Sequence, residues 1–480
     1  MYVYLQISIF SYSLMDPLES RLLLLESHFT WALSEEDFSP HDLVNRLREQ
    51  IELELKSGEA RVTRSYCSLA YVRYLYGDLV EALADLRKSE DLAKRHFGKR
   101  SEKFLMVTYG DFAWLYFHMG KVSLAEYYLK KVDEIRVKFG SSNEVHNEVL
   151  REKGWAFLKF SRKYYNGAGE CFRLALETNP DDRDLNAGYA IALYRTTFDP
   201  PGSRDSMTIA QLKRAIDLNP EDAVLLVFLA LRLIMQGPFQ MIEYVEAIML
   251  VAKALKMSPE NPHVMRYVSQ FCRKLGSVDF AICQLEKTLV HTPDSAFTNH
   301  QLGLCYITKM IEFEKKYGQC HKTENYEAQN CLRKSIYHLE RAVSLKPLFI
   351  VALATLAVQY GQMGNILKAE ELFQQAFQLA YKKKEHLQVV YELYGRFQLY
   401  SKRSEQSAIY YYMEGLRDIA KHRAARDPKD SKSYAIEGFI HELKGEKLNA
   451  EVCYKKALTT GVAIEIVANA NATPAPVLEN

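Results

Sequence analysis

The chain is poor in the residues that interrupt helices, with 22 Gly and 14 Pro in 480 residues. That scarcity argues against a glycine-rich phosphate-loop enzyme and against an all-β chain full of turns. Charge of one sign is also missing: 62 basic and 60 acidic residues leave +2. A polybasic protein is thereby excluded, and any nucleic-acid site must come from local sorting of charge. No apolar run approaches the ~18 residues of a membrane span. The eight cysteines form no CxxC pair, and most sit within helical apolar patterns, as reduced thiols used as small core residues would. Cys320-His321 could begin a metal site, but nothing nearby completes one. The N-terminal MYVYLQISIFSYSL has neither the basic start nor the small-residue cleavage site of a secretory signal. A cytosolic protein is expected, with residues 1–14 a poorly structured extension. Catalytic signatures are lacking too. Gly98-Lys99-Arg100-Ser101 has no upstream glycine to complete a phosphate loop, and no HExxH, GxSxG or kinase set occurs. An enzyme is not expected.

What is present is helix-forming composition organised into repeats. CFRLALETNPDD, LKRAIDLNPED, VAKALKMSPEN and LEKTLVHTPDS end alike, at Pro180, Pro220, Pro259 and Pro293, and IYHLERAVSLKP ends at Pro347. Each proline should stop an amphipathic helix, because it cannot continue the hydrogen-bond ladder. Before Pro180 stand Ala156, Ala168, Phe172 and Ala175, the small-small-large-small pattern that lets two antiparallel helices approach closely. It is the pattern of the tetratricopeptide repeat. It recurs at Ala357, Tyr360, Ala369, Phe373 and Ala376, and at Gly438, Gly445, Ala450, Tyr454 and Ala457, with weaker copies around Ala82, Ala125, Ala247, Ala281 and Ala408. The spacing predicts an all-α solenoid of about nine or ten helical hairpins. Longer spacings mark longer helices or inserts at Phe198–Asp205 and Ile311–Gln329. Lys421–Lys432 reads as a polar linker, and the Ala/Asn/Pro-rich segment after Gly461 as disordered.

The first helix of each hairpin lines the inner face of such a solenoid. In one unit this places His263, Arg266, Gln270 and Arg273 on one helix face, and in the next Phe297 and His300. Cations beside flat rings suit single-stranded nucleic acid, where phosphates meet charge and bases stack. Two residues stand out. Lys159 occupies a position where the repeat holds a buried aromatic, so its ammonium must either snorkel outward or face an anion. Arg195 offers a planar, bidentate partner for phosphate. Trp155 suits either the core or a stacking platform.

Several segments resemble the interferon-induced proteins with tetratricopeptide repeats: SHFTW (27–31), NRLREQIE (45–52), GDFAWLYFHMGK (110–121), EKGWAFLKF (152–160), AGYAIALYR (187–195), FCRKLGSVDFA (271–281), HQLGLCY (300–306) and YGRFQ (394–398). The likeness runs in order over about residues 20–460. It implies a superhelix with a basic internal channel that grips the 5′ end of foreign single-stranded RNA, as triphosphate or incompletely methylated cap, and blocks translation. By position, Arg46 and Gln50 resemble the family's contacts at the mouth and base of the pocket. Lys159, Tyr165 and Arg195 resemble its triphosphate grip, and Trp155 the ring beneath a cap guanine. Arg266, Tyr267, His300 and Gln301 resemble contacts to the first nucleotides, and Lys346 and Phe349 contacts deeper in the channel. Asp42 lies near the family's metal-contacting acid, through which a Mg²⁺ would reach the phosphates. Gln270 departs from the pattern by replacing a lysine, and the 421–432 segment is shorter and less basic than in strong capped-RNA binders.

On this resemblance, residues 1–19 form a flexible extension and 20–145 the repeats of a pocket lid. Residues 146–350 line the RNA channel, 351–460 are C-terminal repeats, and 461–480 are a disordered tail. Expected partners are RNA 5′ ends, other copies or family members, and a translation initiation factor, with no membrane. A protein-interaction scaffold and an AU-rich RNA binder without 5′-end specificity remain the alternatives.

Overall fold

Every regular element of the computed structural model is a helix among the residues it describes, which are 16–37, 40–56, 58, 60–139, 143–196, 207–235, 241–259, 261–317, 322–426 and 430–459. None of these helices is long and apolar enough to cross a membrane. The chain divides into two units, Met1–Lys309 with Leu345–Pro347, and Met310–Ser344 with Leu348–Asn480. The division falls within the helix Ala296–Tyr317. N-terminal residues 1–15 and the tail beyond 459 lie outside the described residues, as do Phe198–Asp205 and Cys320-His321.

In the first unit, helix Pro40–Lys56 packs on the hairpin Val62–Leu75/Leu79–Phe97. Further hairpins follow: Met106–His118/Val122–Phe139, Asn143–Phe160/Tyr165–Thr178, Arg183–Thr196/Met207–Leu218, Ala223–Leu233/Met241–Met257 and Pro262–Lys274/Val278–His291. The second unit holds Ile350–Gln362/Ile366–Lys383, Leu387–Tyr400/Glu405–Arg426 and Ser431–Leu443/Lys447–Thr459. The repeat prolines act as the sequence implies: helices end at Thr178, Leu218, Met257, His291 and Leu345, each two residues before a proline.

Helix starts are capped by short acidic or amide side chains. Asp222 Oδ1 accepts from the backbone N–H groups of Val224 and Leu225, and Asn261 Oδ1 from that of His263 ahead of Pro262, satisfying donors that a helix leaves unpaired. Within five hairpins the turn is made by a glycine, Gly77, Gly120, Gly276, Gly364 and Gly445, with φ between +69° and +88°, a conformation that a Cβ disfavours. The small-residue pattern is the packing device. Ala168, Phe172 and Ala175 are fully buried, and Phe172 presses its ring against Gly154 and Gly188 on the two neighbouring helices. Ala369, Phe373 and Ala376 are likewise fully buried in the second unit.

One expectation fails. Lys421–Lys432 is not a linker throughout: residues 421–426 continue the helix Glu405–Arg426, and Ser431 and Lys432 open the next. Ala420 is buried, and a two-pronged Arg423–Asp430 ion pair at 2.7 and 2.9 Å ties the end of one helix to the start of the next. Asp430 meanwhile caps the following helix at the Ser433 N–H.

Candidate nucleic-acid interface

A cluster of cations gathers at the C-terminal end of helix Asn143–Phe160. Arg195 donates to the Leu158 carbonyl at 2.8 Å and Arg46 to the Lys159 carbonyl at 3.4 Å. These carbonyls are among the last four of the helix, which have no intrahelical partner and attract cations. Three helices, Pro40–Lys56, Asn143–Phe160 and Arg183–Thr196, thus bring Arg46, Lys159 and Arg195 together. The Tyr165 ring lies 5.1 Å beneath the Arg195 guanidinium.

His263, from helix Pro262–Lys274, reports the field at this point. Its pKa is lowered to about 3, first by burial and then by Arg266, Arg195 and Arg46. The imidazole is therefore neutral, and three guanidiniums from three helices surround it. Arg266 itself is buried, pairs with Glu49 at 3.5 Å and lies 5.8 Å from the Phe297 ring. Further along, burial and then Arg273 push His300 down to about 3. Burial lowers Arg273 itself; its Nε has no acceptor, and Oε1 of the buried Gln301 receives no donor. Gln270 shares the helix face of His263, Arg266 and Arg273.

The Lys159 anomaly resolves inward. Its Nζ donates to Ser65 Oγ at 2.9 Å, Ser65 Oγ donates to Glu54 Oε2 at 2.7 Å, and Gln50 Nε2 donates to Glu54 Oε1 at 2.7 Å. The ammonium reaches a buried carboxylate through a hydroxyl instead of snorkelling. Burial still dominates and lowers Lys159 to about 8, with Glu54 offsetting part of that effect. Glu152, on the same helix, is raised to about 7, mainly by burial, and its Oε1 has no hydrogen-bond partner.

Trp155 is pinned between neighbours. Its indole N–H donates to Asp184 at 3.1 Å, Phe172 meets it edge-on at 5.5 Å, and the Arg64 guanidinium stands 6.0 Å from its ring centroid. Arg64 is tied to Asp184 at 3.0 Å. Burial alone would raise the Asp184 carboxyl, but Arg64 and Arg151 hold it below its ordinary value. Arg64, Arg151 and Asp184 line a cavity of about 430 Å³ together with Arg61, Glu148 and Asp182.

An aromatic ladder runs through the same unit. Tyr194 stacks on Phe228 at 4.0 Å, Phe228 meets Tyr267 edge-on at 4.6 Å, and Tyr267 tilts towards Phe297 at 6.1 Å. Arg232, buried in helix Ala223–Leu233, donates to the Tyr194 carbonyl at 2.8 Å and lies 5.0 Å from the Tyr194 ring.

Of the residues singled out from sequence, Arg46, Lys159, Tyr165, Arg195, His263 and Arg266 form one neighbourhood, with Gln50 behind Lys159. Tyr267 and Phe297 join the ladder, and Arg273 and His300 form a second cationic step. Lys346 follows helix Lys322–Leu345, and Phe349 belongs to the second unit, immediately before Ile350–Gln362. The Asp42 side chain lies outside the described residues. Among the described residues no three His, Cys, Asp or Glu side chains are grouped to hold a metal ion.

Sequence reasoning missed Glu54, Ser65, Arg64, Glu152 and Arg232. Glu54 was within reach, four residues after Gln50 on one helix face. Arg232 also carried a signal, as the lone charge in AVLLVFLALRL. Ser65 and Arg64 carried none, because their roles arise from helices distant in sequence.

No family model matches the chain. Individual relatives do. Human protein IFIT1 homolog B is 34% identical over 464 residues, 92% of this chain and 96% of that protein. Human antiviral innate immune response effector IFIT1 is 34% identical over 92% of this chain and 95% of its own. Among solved structures, the human IFIT1 dimer with PPP-AAAA superposes with a TM-score of 0.73 at 33% identity, covering 92% of this chain and 99% of that one. A monomeric IFIT1 mutant with Gppp-AAAA gives 0.75 at 33% identity, covering 93% and 100%. With a third of its residues shared across nearly the whole length of such relatives, the chain belongs to the interferon-induced proteins with tetratricopeptide repeats.

Proposed function

We propose that the first unit captures the 5′ end of single-stranded foreign RNA by its terminal phosphates and withholds that RNA from translation, as an antiviral effector. The observation that carries this reading is the convergence of Arg46, Arg195 and Arg266 around His263, with Arg46 and Arg195 seated on the Lys159 and Leu158 carbonyls. A triphosphate entering there would take over the guanidinium hydrogen bonds now made to the Leu158 and Lys159 carbonyls. It would also draw Nζ from Ser65, exchanging neutral acceptors for charged ones. Bases following the phosphates would meet the Tyr267 and Phe297 rings and then Arg273, His300 and Gln301, contacts that tolerate any sequence. Related IFIT1 chains have been solved with PPP-AAAA and with Gppp-AAAA, which supports a 5′-terminal ligand.

Between these ends the reading favours triphosphate. Arg64 covers one face of Trp155 and is anchored by Asp184, so a cap guanine must displace an ion pair before it can stack. The process has no chemical step, and any Mg²⁺ accompanies the RNA as a counterion. The activity belongs in the cytoplasm, where translation begins. Association with further copies, with family members or with an initiation factor fits the same role.

The deciding experiment compares matched RNAs ending in hydroxyl, monophosphate, triphosphate and cap. Triphosphate should bind tightest, by at least about tenfold over hydroxyl, the value of one charge-assisted contact. Equal affinity for hydroxyl and triphosphate ends would overturn the reading, and efficient competition by an unphosphorylated AU-rich oligomer would replace it with the sequence-binding alternative.

A further inference from the structure

The second unit contains a cavity that 5′-end capture does not use. It measures about 320 Å³ and lies among helices Ile366–Lys383, Leu387–Tyr400 and Glu405–Arg426. That is near the lower end of the ~300–1,000 Å³ range of small-ligand sites. The helical period explains the lining: Glu370, Phe373, Phe377 and Tyr381 share one face of the first helix, and Tyr391 and Tyr394 one face of the second. Phe373 is fully buried and forms the floor, whereas Tyr381 and Tyr410 are more than half exposed at the rim.

Three properties decide what such a pocket accepts. First, its rings meet at steep angles. Phe377 and Tyr394 are inclined by 89°, Tyr394 and Tyr411 by 76°, and Phe377 and Tyr391 by 61°. A ligand is therefore offered π faces from several directions instead of one continuous stack. Second, three of the phenol hydroxyls are engaged in hydrogen bonds. Tyr394 donates its hydroxyl to Glu370 Oε2 at 2.9 Å, and the Tyr381 and Tyr391 hydroxyls are bonded to one another. A phenol that donates a hydrogen bond to a carboxylate, as Tyr394 does, presents a more negative ring face. Third, two carboxylates border the pocket, Glu370 and Glu414. After burial, Glu370 raises the Tyr394 hydroxyl, and Tyr381 and Glu414 raise that of Tyr391. The adjacent cations are already engaged, Lys402 with Glu370 at 2.8 Å and Arg417 with Glu414.

A pocket with negative π faces and few free acceptors suits a cation that gives up little hydration on entering. We propose that this aromatic pocket is a binding site for a weakly hydrated organic cation, a quaternary ammonium or guanidinium head group, carried by a small molecule or by a protein side chain. The ring faces attract the charge, Glu370 supplies the counter-charge, and Lys402 moderates it.

The test uses the full chain and NMR titration with choline against its uncharged isostere 3,3-dimethylbutanol. Choline should bind, and the alcohol at least about fivefold more weakly. Tyr394→Ala and Tyr411→Ala should each weaken choline about 2- to 30-fold, the span of cation–π contacts. Glu370→Gln, which preserves size and packing, should weaken it as well, and Lys402→Met should strengthen it. Peptides bearing trimethyllysine or arginine, each set against an alanine peptide, assign the source. Tighter capture of such a peptide points to a protein side chain and tighter capture of choline to a small molecule, and both sustain the site. Equal binding of choline and the alcohol, no choline binding, or weakening by Lys402→Met would overturn the proposal. Triphosphate RNA affinity is measured on the same variants and should not change.

Discussion

Raising the pH through 8 should release 5′-triphosphate RNA from this protein, through Lys159. Burial is the main reason its pKa falls from the ordinary 10.5 to about 8, with Glu54 offsetting part of the fall, Arg64 adding to it and Glu152 offsetting a little more. At ~1.36 kcal/mol for each tenfold change, holding the proton in the empty site costs roughly 3 kcal/mol. If phosphate needs the ammonium, affinity should drop about fivefold between pH 8 and 9 and more than tenfold by 9.5. Two neighbours stay constant over that window. Glu152, raised to about 7 mainly by burial, is already ionised, and Cys67 is pushed by burial well above its ordinary value of 9.0. The RNA's terminal phosphate, with a second pKa of about 6, is fully charged throughout.

Fluorescence anisotropy with a short triphosphate oligomer from pH 8 to 9.5 measures the effect, and Lys159→Arg should flatten the profile. Stability has the opposite sign, which separates lost affinity from unfolding. Between 8 and 10.5 the unfolded chain holds the Lys159 proton and the folded chain does not, so this group's contribution to stability rises with pH while RNA affinity falls. A flat profile for the unmodified protein, or an unchanged slope in Lys159→Arg, would refute the assignment of Lys159 to the phosphate grip.

Arg195→Ala should cost about 1.5–3 kcal/mol of triphosphate RNA binding, the range for a hydrogen bond to a charged group; filter binding showing equal affinity would defeat that role. Arg64→Ala uncovers Trp155 and should shift the ratio of cap to triphosphate affinity towards cap by about 1 kcal/mol, comparable to one exposed cation–π contact. An unchanged ratio in competition with a cap dinucleotide would show that Arg64 does not guard the ring. Gly154→Ala places a Cβ 2.8 Å from Phe172 Cζ and should destabilise the first unit by about 1–3 kcal/mol through overpacking. Pairing it with Phe172→Leu should recover part of the loss in thermal melts, and no recovery would mean that the strain lies elsewhere.

The prolines at 180, 220, 259, 293 and 347 and the alanines around Phe172 and Phe373 made the hairpins legible because each acts over a few residues. Helix termination, capping and close helix approach are local effects, and a repeated unit states them many times. The inward stripe of His263, Arg266 and Arg273 was legible for the same reason, through helical period. Most of the segment 421–432 was misread because its polar composition resembles a linker, while the Arg423–Asp430 pair that joins its two helical ends depends on the next hairpin.

Sequence alone therefore determined the repeat, the helix ends marked by its prolines and the sign of the charges on the inner helices. Only the folded chain decided how those charges are used. Lys159 could snorkel or point inward until Ser65 and Glu54 arrived from other helices to receive it. Trp155 had no assigned neighbours until Asp184 accepted its indole N–H and Arg64 came to stand over its ring. The tyrosines near 391 and 411 became a pocket only when three helices met. Desolvation and pairing depend on distance in space, and helices far apart along the chain set those distances.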